Sequence, residues 1–157
     1  MQFQGTADAR GLRIAVIVSR FNDFVTDRLL AGAKDALLAA GAPPEAIDTV
    51  RVPGAYEVPQ AARTAAATGS YDAVVCLGCL IRGETPHFDY ISEAVAHGIM
   101  AASADTGVPM SFGVLTTNSA EEALERAVPG QGNKGREAAE AALAMVALLS
   151  RLRGERA

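Results

Sequence analysis

The sequence predicts an α/β domain in which a central parallel sheet is covered by helices on both faces, a doubly wound arrangement. Three observations lead to this prediction. Short, nearly continuous apolar runs rich in Val and Ile are typical of parallel strands that are buried on both faces. Helical segments alternate with these runs, which indicates βαβ units with right-handed crossovers. The chain has 157 residues, half of them apolar, which suits one substantial core.

Four segments have the pattern of strands. The second alternates between apolar and polar residues, whereas the other three are almost entirely apolar. In chain order they are "LRIAVIVS" (Leu12–Ser19), "IDTVRVP" (Ile47–Pro53), "DAVVCLGCLI" (72–81) and "PMSFGVLTT" (Pro109–Thr117). No linker is long enough to divide domains, so residues 1–157 are predicted to form a single domain. Residues 1–11 are expected to be an N-terminal arm, and residues 153–157 a loose tail.

Five helical segments separate and follow the strands. The first places Val25, Leu29, Ala33 and Leu37 at steps of four and ends at Gly41, a typical C-terminal signal. In chain order the segments are "DFVTDRLLAGAKDALLAAG", "EVPQAARTAAATG", "PHFDYISEAVAHGIMAASADTG", "SAEEALERA" and "REAAEAALAMVALLSRL".

Local signals mark where two of these helices begin. Pro86 is expected in the first turn of the third helix, where its missing N–H costs little. Ser119 and Glu122 have the spacing of a capping box, in which each side chain accepts a backbone N–H at the start of the fourth helix.

Charge and hydropathy exclude several classes of protein. A formal net charge of −4 disfavours a general nucleic-acid binder, which usually shows a basic balance or a basic stripe. No apolar run reaches the ~18 residues of a membrane span. The start "MQFQGTADARG" lacks the basic and apolar regions of a secretory signal. We therefore expect a cytoplasmic protein that binds neither nucleic acid nor membrane.

The two cysteines, Cys76 and Cys79, have C-x-x-C spacing, which invites a redox or zinc interpretation. Both lie in a predicted strand, where residues three apart point to opposite faces of the sheet. The redox motif also belongs at the start of a helix. The spacing is therefore better explained by two buried, reduced thiols.

The segments that follow the strands concentrate the chemically active residues. In open α/β sheets, ligands bind beyond the carboxyl ends of the strands. The four strands deliver "SRFN" (Ser19–Asn22), "VPGAYEVP" (Val52–Pro59), "IRGETPH" (Ile81–His87) and "TTN" (Thr116–Asn118). Two aromatic rings can sandwich a flat heterocycle, and N–H groups at a helix N-terminus can hold a phosphate. A histidine beside them can transfer protons near neutral pH.

Each of these residues also has a purely structural explanation. Phe21 taken alone is more often a core aromatic. Glu57 is favoured at a helix start by the helix dipole, and Glu84 and Thr85 are possible helix caps. His87, taken alone in a first helical turn, is more often structural or solvated than catalytic. Only their combination indicates a binding site for a heterocycle and a phosphate.

The segment "GQGNKG" (130–135) matches G-x-G-x-x-G, the dinucleotide-binding fingerprint. That fingerprint requires a preceding strand, whereas this segment follows the predicted helix "SAEEALERA". It is better read as a glycine-rich bend between two helices. Lys134 within it is either a positive charge for a phosphate or an ordinary solvated lysine.

Several of these segments occur in the order and spacing of one family. They are "SRFN", "VPGAYEVP", "GCLIRGETPHFDYI", "SFGVLTTN", "ALERA" and "GNKG". From about residue 11 to residue 152, the chain resembles the lumazine synthase family of riboflavin biosynthesis. The resemblance implies a flavodoxin-like three-layer α/β/α sandwich with a central four-stranded parallel sheet.

The resemblance also implies an activity, that of a transferase. It would condense 5-amino-6-(D-ribitylamino)uracil with 3,4-dihydroxy-2-butanone 4-phosphate to give 6,7-dimethyl-8-ribityllumazine, phosphate and water. This is the penultimate step of riboflavin biosynthesis. No cofactor and no metal are implied.

Site residues are implied position by position. His87 matches the catalytic proton donor, and Phe21 matches the ring that stacks on the pyrimidine. Other contacts to ribitylaminouracil match Ala55, Tyr56, Glu57, Cys79, Leu80, Ile81 and Phe112, the last lent by an adjacent subunit. Contacts to the butanone phosphate match Glu84, Thr85, Arg126 and Lys134.

An assembly is implied as well. Active sites in this family lie between adjacent subunits of a pentamer. Some members build a hollow icosahedral shell of twelve pentamers, whereas others stop at the pentamer or at a pair of pentamers, and riboflavin synthase is a candidate partner. The bend "AVPGQGNKG" shows no insertion relative to the shell-forming pattern, which favours a shell. The family's N-terminal stretch adds a strand to the neighbouring subunit's sheet, although "MQFQGTA" is a weak strand by itself.

Two other functions compete with catalysis. A carrier or shell protein of the same fold would bind flavin or lumazine through Phe21 without the groups for phosphate and proton transfer; the presence of Glu84, Thr85, His87 and Arg126 argues against it. A flavodoxin-like signalling receiver needs an acidic pocket after the first strand. There the sequence has Arg20 and Phe21 instead.

Overall fold

One parallel sheet forms the middle layer of the computed structural model, which describes residues 1–155. Its strands are β1 (Ile14–Ser19), β2 (Ile47–Val52), β3 (Ala73–Ile81) and β4 (Met110–Thr117), in the spatial order β2-β1-β3-β4. Each strand lies within a segment predicted from the sequence. The predicted α/β sandwich with four parallel strands is therefore confirmed, and β2 and β4 are its two edges.

Helices cover both faces of the sheet. They are α1 (Asp23–Ala39), α2 (Val58–Ala67), α3 (His87–Thr106), α4 (Ala120–Glu125) and α5 (Lys134–Leu152), with short 3-10 turns at Pro44–Ala46 and Ala55–Glu57. Alternate residues of the strands point to opposite faces. Val16 and Val18 therefore pack with α1 and α5, whereas Ala15 and Ile17 pack with α2 and α3.

Three helix starts differ in detail from the predictions. Pro86 precedes α3 as its N-cap and is not in its first turn. The α5 helix begins two residues before the predicted Arg136, because the Asn133 side chain accepts the Arg136 N–H at 3.0 Å. Ser119 caps α4 by accepting the Glu122 N–H, but the Glu122 carboxylate accepts from Asn118, one residue before the position of a true capping box.

The two cysteines lie on opposite faces of β3, as predicted. Cys76 belongs to the core beneath α2 and α3, and Cys79 to the core beneath α1 and α5. Both are free thiols, and burial raises the pKa of Cys76 to about 12 and that of Cys79 to about 11. The thiolate needed for redox or metal chemistry is therefore disfavoured.

The N-terminal arm lies along α5 of its own chain. Gly5 touches the helix so closely that an added Cβ would collide with the Ala144 carbonyl oxygen. The Arg151 guanidinium donates to the Gln4 carbonyl at 2.6 Å and lies 5.7 Å from the centre of the Phe3 ring. The arm contains no strand, and its addition to a neighbouring sheet stays a prediction.

The C-terminal tail is described as far as Glu155, whose side chain pairs with Arg153 at 2.7 Å; residues 156–157 of the predicted loose tail lie outside the described residues. No helix in residues 1–155 is both long and apolar enough to cross a membrane.

Candidate functional site

The carboxyl ends of β1, β2 and β3 surround a cavity of about 480 Å³, called here the strand-end hollow. This volume lies within the usual range for small-molecule sites. Seven predicted site residues line it: Phe21, Ala55, Tyr56, Leu80, Ile81, Thr85 and His87. Parallel topology brings them together, because segments far apart in sequence end at the same edge of the sheet.

Two aromatic rings at this hollow are exposed to solvent, although hydrogen bonds hold the backbone that carries them. Phe21 is 70% exposed and Tyr56 is 61% exposed, so interpreting Phe21 as a core residue is wrong. The Phe21 N–H donates to the Pro53 carbonyl at 3.0 Å, which joins the loop after β1 to the loop after β2. Exposed rings on a backbone that is held by hydrogen bonds are suited to stacking on a flat ligand.

Asn22 also lines the hollow and was not among the predicted site residues. It has left-handed backbone angles (φ 62°, ψ 43°), an uncommon conformation for a residue other than glycine. Its side-chain amide donates to the Cys79 carbonyl at 2.9 Å, across to β3. The last letter of "SRFN" was the available signal, since Asn tolerates this conformation better than most residues.

The turn after β3 brings Thr85 and His87 to the rim of the hollow. Residues 82–87 are all exposed, and α3 begins at His87 without a side-chain cap. Neither Glu84 nor Thr85 therefore caps the helix, and the first N–H groups of α3 stay open to an acceptor. Glu84 is in the same turn but is not part of the lining of the hollow.

Two further predicted residues are near the hollow without lining it. The Glu57 carboxylate accepts the Gly54 N–H at 2.9 Å, which closes the turn carrying Tyr56. Cys79 is only 1% exposed, and its carbonyl accepts from Asn22. In this arrangement both residues support the walls of the hollow.

The remaining three predicted residues, Phe112, Arg126 and Lys134, line a different cavity. This edge cavity, of about 770 Å³, runs beside the edge strand β4 between α3 and α5. Phe112 is 49% exposed there although it lies within a strand. Within one chain, the structure does not bring these three residues together with His87.

The bend between α4 and α5 holds the two cations of the edge cavity together. The Lys134 N–H donates to the Arg126 carbonyl at 2.9 Å, and the buried Asn133 amide donates to the Ala127 carbonyl at 3.1 Å. The Lys134 ammonium pairs with Glu137 at 2.8 Å, and the Arg126 guanidinium donates to the Glu122 carbonyl at 2.9 Å. "GQGNKG" is thus a bend between helices, as predicted.

No group of three or more His, Cys, Asp or Glu side chains within residues 1–155 has the arrangement of a metal site. The described residues of the two cavities offer aromatic rings, one imidazole, two cations, the Glu137 carboxylate, hydroxyls and backbone N–H groups.

The sequence of the chain matches one known protein family. The sequence profile of the 6,7-dimethyl-8-ribityllumazine synthase family matches residues 11–150, which is most of the chain and includes both cavities. The fold and the family resemblance inferred from the motifs are thereby confirmed. The chain belongs to the 6,7-dimethyl-8-ribityllumazine synthase family, a transferase-type family of riboflavin biosynthesis.

Proposed function

We propose that this chain condenses 5-amino-6-(D-ribitylamino)uracil with 3,4-dihydroxy-2-butanone 4-phosphate to form 6,7-dimethyl-8-ribityllumazine. The observation that carries the proposal is the make-up of the strand-end hollow. Exposed Phe21 and Tyr56 provide flat surfaces, while Thr85, His87 and the open start of α3 provide polar groups beside them. A pyrimidine and a phosphate ester need this combination of surfaces.

In the proposed complex, Phe21 stacks on the pyrimidine ring, while the turns bearing Ala55 and Ile81 border its edges. Tyr56 and Glu57 face the ribityl chain, for which Glu57 exchanges its bond to the Gly54 N–H. The phosphate lies at Thr85, next to the first N–H groups of α3. These roles follow from the family resemblance and are compatible with the described contacts.

The hollow lacks one component that the phosphate requires. None of the described residues that line it is Lys or Arg, whereas the edge cavity has Arg126 and Lys134. A phosphate dianion is bound most strongly by charge-assisted hydrogen bonds. We therefore infer that the hollow of one copy faces the edge cavity of a second copy, which also supplies Phe112.

A chain with one hollow and one complementary edge cavity forms head-to-tail contacts, which close into a ring when the rotation allows it. The family resemblance makes that ring a pentamer. The exposed Phe112 and Met145 on the edge cavity give this contact an apolar part. Native mass spectrometry would distinguish a pentamer, a pair of pentamers and a shell of twelve pentamers.

The chemistry needs no group beyond these side chains. The 5-amino group attacks the ketone, and loss of a water molecule gives an imine. Proton transfers assisted by His87 then expel phosphate from the butanone carbon chain. The resulting enol tautomerises to a new ketone, and the ribitylamine attacks that carbonyl to close the second ring with loss of another water. Much of the rate should come from holding the two reactants in register.

The test is an absorbance assay with both substrates that follows the lumazine chromophore, with released phosphate measured in parallel. Product formation with an equal amount of phosphate is the expected result. A folded protein that binds ribitylaminouracil but makes no product would overturn the proposal and favour a carrier of flavin or lumazine.

The sharing of a site between copies has its own test. The variants Phe21→Asp and Arg126→Glu should each be inactive alone, because one damages the hollow and the other the edge cavity. When equal amounts are refolded together, about a quarter of the contacts join two intact halves, so activity should return to that level. If mixing restores nothing, each site is contained within one copy.

A further inference from the structure

Arg82 lies between β3 and the turn that carries Thr85 and His87, but it does not line the strand-end hollow. Its backbone N–H donates to the Thr117 carbonyl at 2.8 Å, which extends the pairing of β3 with β4 by one hydrogen bond. The side chain is therefore projected from a fixed point of the sheet. Neither the family roles nor the proposed mechanism uses it.

The Arg82 guanidinium connects the sheet to the start of α3. Its Nε donates to the Asn118 side-chain oxygen at 3.1 Å, just beyond the end of β4. Its Nη1 donates to the Asp89 carboxylate at 3.3 Å, in the first turn of α3. Its central carbon lies 4.5 Å from the centre of the Phe88 ring, within the range of a cation–π contact.

Phe88 and Asp89 directly follow His87 in the first turn of α3, so this contact acts on the segment that bears the proposed proton donor. Other restraints on the turn are few. The α3 helix has no side-chain cap, and a Cβ added at Gly83 would meet no heavy atom within 4 Å. The start of α3 therefore depends on the Pro86 cap, the buried Phe88 and the Arg82 guanidinium.

We propose that Arg82 is a positioning residue that fixes the first turn of α3, and through it the place of His87 and Thr85 relative to the strand ends. This inference rests on the proposed function. We assign Arg82 a positioning role and not a phosphate-binding one, because Asn118 and Asp89 accept from its Nε and Nη1, the Phe88 ring covers one face, and the residue does not line the hollow. A planar guanidinium can donate to Asn118 and Asp89 while its face lies on the Phe88 ring, and a lysine ammonium cannot make all three contacts.

The Arg82 contacts should affect the position of His87 more than the free energy of unfolding. Both charged side chains are about half exposed (47% and 56%), and exposed pairs of this kind add little to stability. A displacement of about 1 Å in a reacting group, in contrast, can cost up to about 10²-fold in rate. Loss of Arg82 should therefore lower kcat while the protein stays folded.

The chain offers a matched control on the same helix. Arg63 pairs with Asp105 at 3.0 Å near the far end of α3, with exposures of 46% and 62%. Arg82→Gln and Arg63→Gln each remove one exposed Arg–Asp pair from α3, but only the first affects the turn of His87. A purely structural role would make the two variants alike.

The experiment compares steady-state kinetics of wild type, Arg82→Gln, Arg82→Lys and Arg63→Gln. We expect kcat to fall by about tenfold to a hundredfold in both Arg82 variants, with the Kd of ribitylaminouracil unchanged. Arg63→Gln should behave as wild type. Full activity in Arg82→Lys, or an equal loss in Arg63→Gln, would overturn the positioning role.

A second measurement keeps this inference separate from the proposed reaction. Hydrogen exchange of the Asp89 and Tyr90 amides, which donate to the Pro86 carbonyl, should become faster in Arg82→Gln than in wild type or Arg63→Gln. If wild type makes no lumazine, the proposed reaction fails, yet exchange still tests the contact. If hydrogen exchange in Arg82→Gln is unchanged from wild type, the positioning role of Arg82 is refuted, whether or not the protein makes lumazine.

Discussion

Truncation of Phe21 should separate ligand binding from folding. The side chain is 70% exposed, so folding buries only about a third of it. Complete burial of a phenylalanine is worth roughly 1.5–3 kcal/mol, so Phe21→Ala should cost less than about 1 kcal/mol of folding free energy. In a domain of this size that lowers Tm by no more than about 2–4 °C.

Binding should suffer much more than folding. Stacking of a base on an aromatic ring contributes about 1–3 kcal/mol as judged by alanine substitution. The Kd of ribitylaminouracil should therefore rise by about fivefold to 150-fold. Isothermal titration with ribitylaminouracil alone measures this quantity without any contribution from the butanone phosphate or from turnover.

The control is Phe24→Ala, in the first turn of α1. Phe24 is 45% exposed and does not line the strand-end hollow, so its truncation should leave the Kd unchanged. An unaltered Kd in Phe21→Ala would refute the stacking role, as would an equal loss of binding in Phe24→Ala.

Three further predictions concern the proton donor, the phosphate and the thiols. His87→Ala should lose about 10²-fold in kcat but keep measurable turnover, while His97→Ala, at the other histidine of the chain, should keep the wild-type rate. No detectable turnover in a folded His87→Ala variant that binds both substrates would contradict this. Arg126→Met should raise the KM of the butanone phosphate, and the inhibition constant of inorganic phosphate, by about tenfold to a hundredfold. Titration should show an unchanged Kd for ribitylaminouracil, and a general loss of binding would speak against a phosphate role. Because burial raises the pKa of Cys76 to about 12 and that of Cys79 to about 11, their thiols ionise first in the unfolded chain, near pH ~8.5. Stability should therefore be fully present below that pH and fall as the pH rises towards 11, and urea midpoints should fall less steeply in Cys76→Val.

The fold was predictable because the hydrophobic pattern is simple. Residues buried on both faces of a sheet give continuous apolar runs, and each strand lies within the run that predicted it. Helix starts were less certain, because they depend on individual side chains. Because Asn133 caps it, α5 begins at Lys134, two residues before the predicted start, and Pro86 is the N-cap of α3 and not part of its first turn.

The grouping of seven predicted residues around one hollow could be predicted, but the separation of Phe112, Arg126 and Lys134 from them could not. Parallel strands bring "SRFN", "VPGAYEVP" and "IRGETPH" to one edge of the sheet, as topology requires. The positions of Arg126 and Lys134 in the sequence do not show that these residues lie in another cavity. They do so because α5 packs on the same face of the sheet as α1 and borders the edge cavity beside β4. Asn22 and Arg82 were missed as well, because their contacts join residues far apart in sequence.

The bend between α4 and α5 is held at its base by hydrogen bonds to the residues just after helix α4 and is exposed to solvent at its tip. The Lys134 N–H and the Asn133 amide fasten the base, while Gly130 and Gly132 form an exposed tip with φ of 94° and 90°. Extra residues between the two glycines would replace the turn bond from the Asn133 N–H to the Gly130 carbonyl (3.2 Å), but a surface loop tolerates added length at little entropic cost, so both cations should stay where they are. The tip is thus a natural grafting point, where a foreign peptide can be displayed without disturbing either cavity.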